Sequence, residues 1–179
     1  MQAQIKEPNP TAKLLGYAGL IPFLALSAFQ LIFPSSPHQE IVTLSLIAYG
    51  ATIASFLGAI HWGFAMQQSA PNRKLLLWGV IPSLLGWISL VLGSTNGLLL
   101  LVATLWLCFV VDYKIYPKFE LAPWLSMRFI LTAVACISLS IPVIYKMVSN
   151  LTNTSLFEIY TRIIQPIEAY DGLMTTNFF

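Results

Sequence analysis

The chain has 179 residues, 9% of them charged, and a mean hydropathy of +0.76. Soluble domains carry about 25% charged residues, so an ordinary water-soluble fold is excluded and an all-α, polytopic membrane protein is expected. A formal charge of +2, scattered along the chain, does not fit a nucleic-acid binder, and the length leaves little room for anything beyond several spans of about 20 residues each.

Residues Met1 to Pro10 lack the arginine-rich amphipathic pattern of a mitochondrial transit peptide. The first apolar run, Leu14 to Phe33, is too long for a signal-peptide core and reads as a retained helix. Four further spans follow at 41–66, 75–92, 97–111 and 125–148, making a five-helix transmembrane domain over 1–148. The fourth is short, since 15 apolar residues rise about 22 Å as a helix against a hydrocarbon core of about 30 Å. Short links between the runs predict antiparallel neighbours. Ile-Pro pairs at Pro22, Pro82 and Pro142 predict kinks in the first, third and fifth spans.

Basic residues sort by side. Lys6 and Lys13 precede the first span, Arg73 and Lys74 join the second to the third, and Lys114, Lys118 and Arg128 surround the fourth connection, while the alternate loops hold neither lysine nor arginine. The positive-inside rule then places the N-terminus in the cytoplasm and the C-terminus in the periplasm of a bacterial inner membrane, with Lys146 and Arg162 opposing. Tyr17, Trp62, Trp78 and Trp124 fall near the predicted cytoplasmic ends, as an interfacial belt would.

The second span carries the most information. Gly50, Ala54, Gly58 and His61 recur at helical spacing, with Ala51, Ser55, Ala59 and Gly63 forming a second ridge of small residues beside them. Small residues let helix backbones approach closely in lipid, so Gly50, Ala54, Ser55, Gly58 and Gly63 are expected to pack against neighbours. His61 should then point into the bundle. A buried ionisable group in a membrane is a functional candidate by default, although so near a helix end a structural hydrogen bond is the plainer explanation of His61, ahead of a ligand or proton-relay role. His38, the other histidine, falls in the opposite loop about 35 Å away by helical rise, which rules out a haem held by both. Asp112 and Arg128 belong to the same side as His61, and the three make a candidate ligand or proton site. Cys108 and Cys136 lie inside apolar runs with no metal-ligand spacing, so no metal site and no redox role are read from them.

From 149 to 179 the composition changes. Ser155 to Glu158 fits a capping box, and Leu156, Tyr160, Ile163 and Ile167 recur at helical spacing, predicting an amphipathic helix over about 155–165 that Pro166 ends. Sequons at Asn150 and Asn153 matter only in a eukaryotic secretory membrane. No serine elbow, Walker motif, HExxH or intramembrane carboxylate pair occurs, so no enzyme activity is read from the chain.

Four stretches together resemble a family of small polytopic inner-membrane proteins of unknown function, the group that includes mitochondrial transmembrane protein 69. They are 15–23 (LGYAGLIPF), 49–63 (YGATIASFLGAIHWG), 78–87 (WGVIPSLLGW) and 122–132 (APWLSMRFILT), with Ser55, His61, Trp62 and Arg128 as their polar members. The resemblance implies about five helices in an inner membrane and brings no catalytic residues or cofactor. Two functions stay open. One is an accessory subunit or assembly factor of a larger respiratory or photosynthetic complex, with the bilayer and a protein partner contacted through the tail. The other is a small permease or lipid-binding protein using His61, Asp112 and Arg128, with bound lipid in place of a cofactor. A haem or quinone protein is a third, more remote reading.

Overall fold

The computed structural model describes residues 7–70, 72–159 and 162. Among these the chain is helical, with no strand, and five segments are long and apolar enough to cross a membrane. It divides into two compact units, 1–143 and 144–179. Of the predicted helix over 155–165, residues 155–159 are the last part of a longer helix, and 160, 161 and 163–165 lie outside the described residues.

The first span, Pro10–Ile32, is two helices rather than one. α1 (Pro10–Ala18) starts with Asn9 accepting from the Thr11 N–H at 2.8 Å and with Pro10 in the first turn, where its missing N–H costs nothing. The helix stops at Gly19 and Leu20, and α2 (Ile21–Ile32) begins with Pro22 in its first turn. The kink predicted at Pro22 is therefore a break. Proline cannot donate to the carbonyl four residues earlier, and the open backbone is supported from outside, since the Tyr49 hydroxyl donates to the Gly19 carbonyl at 2.8 Å.

α3 (Gln39–Met66) is the hub of the first unit. Its hydroxyl residues satisfy themselves one turn back, as Ser55 does on the Ala51 carbonyl at 2.9 Å, which suits a helix in lipid. α4 (Arg73–Leu92) begins with the Asn72 side chain accepting from the Lys74 N–H at 3.0 Å and retains Pro82 within the helix. Gly93 then turns the chain at φ +56°, and α5 (Ser94–Ile115) starts at the next residue. This lengthens the fourth span at both ends relative to 97–111. Gly93 and Ser94, the latter at φ +41°, make the turn in place of the expected four-residue loop. A 3-10 turn, Tyr116–Phe119, follows, and α6 (Trp124–Ile159) continues past 148, where the last span was expected to end. Ser149 and Asn150 do not stop it, because Thr152 and Thr154 bond back to carbonyls within the helix.

α3 and α4 meet backbone to backbone. A Cβ on Gly58 would collide with the Gly79 carbonyl, and one on Gly86 would lie 3.1 Å from the Ala51 Cα. The Trp62 indole N–H closes the end of this contact on the Leu76 carbonyl at 2.8 Å. Gly50 faces α5 and α6, with Leu101 and Leu139 over it, and Ala54 is fully buried. Gly63, expected in the packing ridge, is exposed with nothing within 4 Å of its Cβ position, because it lies with Ala59 on the outward face of α3, while Ala65 just beyond it is fully buried. The core combines Phe23, Leu46, Ile47, Leu57, Leu101 and Leu139, drawn from four helices. Ser27 Oγ donates to the Ser138 carbonyl at 2.9 Å and ties α2 to α6.

Gly58→Val should lower stability by about 1–3 kcal/mol, since neither backbone at the α3–α4 contact can give way. Gly63→Ala should leave it within about 0.5 kcal/mol. Thermal unfolding in detergent measures both, and an unaffected Gly58→Val protein would refute the close approach.

Candidate functional site

The three residues singled out by sequence come together. His61 lies five residues before the end of α3, Asp112 three before the end of α5, and Arg128 four into α6, so each sits within about 8 Å of a helix end on one side of the bundle. They are 1%, 1% and 8% exposed.

Arg128 places two donors on one carboxylate oxygen. Nε lies 2.9 Å and Nη2 2.6 Å from Asp112 Oδ2. The other oxygen, Oδ1, lies 3.3 Å from His61 Nε2, and neither atom has a hydrogen-bonding partner. His61 Nδ1 is 3.2 Å from the Leu57 carbonyl. A carbonyl oxygen only accepts, so where this contact is a hydrogen bond the proton sits on Nδ1. In the neutral ring, Nε2 then turns a lone pair toward the carboxylate; in the imidazolium it turns an N–H. The geometry thus makes the His61–Asp112 contact repulsive or attractive according to one proton.

An aromatic shell encloses the three. Phe64 and Trp78 meet the imidazole edge-on, with centroids at 5.8 and 6.3 Å, and Phe64 stacks on Phe119 at 4.5 Å. The Trp78 indole N–H is buried without a hydrogen bond. Tyr116 is buried against Phe64, within interaction range of Asp112 and Arg128. Sequence reading assigned Trp62 and Trp78 to an interfacial belt and passed over Phe64 and Tyr116. Their i, i+3 relation to His61 and i, i+4 relation to Asp112 is the signal that marks Phe64 and Tyr116 as neighbours. Cys108, one turn before Asp112, and Cys136 are buried free thiols, and no cluster able to hold a metal ion occurs among the described residues.

The sequence profile of a family described as "Protein of unknown function (DUF3429)" matches residues 8–144. The chain belongs to the DUF3429 family. The match ends beside the boundary between the two compact units, at 143 and 144. Curated proteins similar to it include Transmembrane protein 69 of Xenopus tropicalis, 31% identical over 86% of this chain, and Transmembrane protein 69 of Mus musculus, 26% identical over 78%. In each case the match spans 58% of the relative's own length. No solved structure matches. This DUF3429 protein is accordingly a multi-pass membrane protein, and all three site residues lie within the matched region.

Charge inside a bilayer is expensive, and breaking a buried pair leaves the survivor uncompensated. Asp112→Leu and Arg128→Met alone should each cost about 3–5 kcal/mol, whereas the double variant should lie much nearer the parent. A double-mutant cycle by denaturant unfolding in detergent reads the difference, and strictly additive losses would contradict a direct pair. The histidine assignment is separately testable. Nitrogen-15 NMR of labelled His61 should show Nδ1 protonated; a ring protonated at Nε2 alone would reverse it.

Proposed function

We propose that this protein is a non-catalytic accessory subunit or assembly factor of a larger complex in a bacterial inner membrane, of respiratory or photosynthetic type. The supporting observation is an outward furrow of about 250 Å³ between α3 and α4, lined by Ser55, Ala59, Trp62, Gly79, Val80 and Ser83. Apolar side chains facing outward are ordinary on a spanning bundle. Small and hydroxyl residues facing outward are what a second transmembrane helix needs for close approach and for interhelical hydrogen bonds.

His61, Asp112 and Arg128 fit this reading as an internal tie that joins α3, α5 and α6. The charge pattern of the loops supports a cytoplasmic N-terminus and a periplasmic C-terminus. The tail from 150 onward is proposed as a second contact with the partner, on the strength of its amphipathic composition, and most of it lies outside the described residues.

A tagged copy purified in mild detergent should bring down a stoichiometric membrane partner identifiable by mass spectrometry. Ala59→Leu, which fills the furrow from an exposed position, should reduce recovery of that same partner about tenfold or more, and truncation at 150 should weaken it further. A lone monomer, or a partner held equally by the Ala59→Leu protein, would sink the proposal.

A further inference from the structure

A second concavity lies on the other side of α3. Ile53, Phe56 and Leu57 point roughly 145° away from Ser55, Ala59 and Trp62 at 100° per residue, and they face a recess of about 150 Å³. Its remaining walls come from α1, α2, α5 and α6. Two polar side chains, Arg128 and Thr132, stand among thirteen lining residues. Gly16 and Gly19 form the wall at the break in the first span, and a Cβ on Gly16 would meet the tip of Met127 at 2.7 Å and Leu131 at 3.5 Å.

We infer that this recess is an intramembrane site for an anionic acyl lipid, whose hydrocarbon chain occupies the apolar walls and whose phosphate or carboxylate reaches the Arg128 guanidinium. Size fits the chain portion: a cavity of about 150 Å³ lined by Leu, Ile and Phe accepts a benzene-sized guest, or about six carbons of an acyl chain. Chemistry fits the head. A guanidinium has five donors; Asp112 Oδ2 takes two of them and the Tyr116 side chain is hydrogen-bonded to the group as well, which leaves up to two for a ligand. Arg128 is the one charged residue in the wall, and it lies within about a turn of the start of α6, at headgroup depth. Lys13 is exposed one helical turn before Gly16, on the same face of α1, and adds a second positive charge on the headgroup side. The interruption of the first span at Gly19 and Leu20 also falls at the recess. The site is independent of the α3–α4 furrow, so either reading can fail without the other.

The test uses the full chain in mild detergent with three probes: dioleoylphosphatidylglycerol, dioleoylphosphatidylcholine and oleate, each read as retained lipid by native mass spectrometry. Each basic residue near an anionic headgroup contributes about 1 kcal/mol, so Arg128 and Lys13 should favour phosphatidylglycerol over phosphatidylcholine at least about fivefold. Preferential retention of phosphatidylglycerol alone identifies a bilayer phospholipid as the source, and retention of oleate alone identifies free fatty acid. Equal retention of the two phospholipids, or none of any probe, overturns the site. Gly16→Leu should abolish retention by filling the recess. Arg128→Lys should preserve the preference for anions, and Asp112→Asn with Arg128→Gln should erase it while removing the stranded carboxylate. A folded Gly16→Leu protein, checked by circular dichroism, that keeps phosphatidylglycerol like the parent also overturns the inference.

Discussion

Lipid offers no partner to a charge, and the ion pair between Asp112 and Arg128 is this protein's answer to that constraint. Arginine holds one carboxylate oxygen with two donors, which fixes the end of α5 against the start of α6. The other oxygen approaches His61 and brings in α3. Three helices are thereby set in register at one end of the bundle by groups that have no alternative partner in a hydrocarbon medium. A well-packed apolar core would serve stability as well or better, so the value of the pair lies in specifying which helices meet and where.

The rest of the packing follows two regimes around α3. Toward α4 the contact is glycine against glycine, and the Trp62 indole pins the end of the contact to the Leu76 carbonyl. Toward α2, α5 and α6 the contact runs through large side chains such as Phe23, Leu101 and Leu139. Close backbone contact leaves a shallow furrow lined by the small residues on the outer edge of the seam. Side-chain packing leaves a deeper apolar recess where Gly16 and Gly19 supply no bulk. Both concavities are consequences of where the small residues fall on the helices.

Much of this was legible in the sequence because membrane burial leaves coarse signatures. The five spans followed from apolar run length, the burial of His61 from its spacing with Gly50, Ala54 and Gly58, and the meeting of Asp112 with Arg128 from antiparallel topology across a short connection. What was not legible depended on one residue's backbone. Proline is compatible with a kink or a break, and the outcome at Pro22 rests on Tyr49, which is distant in sequence. Gly93 reads equally as part of a loop or of a tight turn, and only its positive φ shows that α5 begins at once. Gly63 matches its ridge by period alone, and periodicity does not reveal which part of a ridge is left uncovered. The recess is still less visible, since it is assembled from small groups on five helices.

The polar groups at the charged end of the bundle are less completely satisfied than most of those along the spans. Elsewhere in the spans, hydroxyls bond back to their own helices, the broken backbone at Gly19 is capped, and the Ser27 and Trp62 side chains reach carbonyls. Some buried groups lack this: Gln30 Nε2 in α2 has no partner, His61 Nε2 and Asp112 Oδ1 face each other without a hydrogen bond, and the buried Trp78 N–H has none although its ring contacts the same imidazole. Such groups each cost about 1–3 kcal/mol, and a bundle whose purpose was only to be stable could replace them with apolar side chains of similar volume. Arg128 belongs at once to this polar cluster and to the wall of the apolar recess. Whatever enters the recess therefore meets the residue that holds Asp112, and Asp112 in turn meets the one histidine buried in the spans, so occupancy of the recess and protonation of the His61–Asp112 contact act on the same carboxylate.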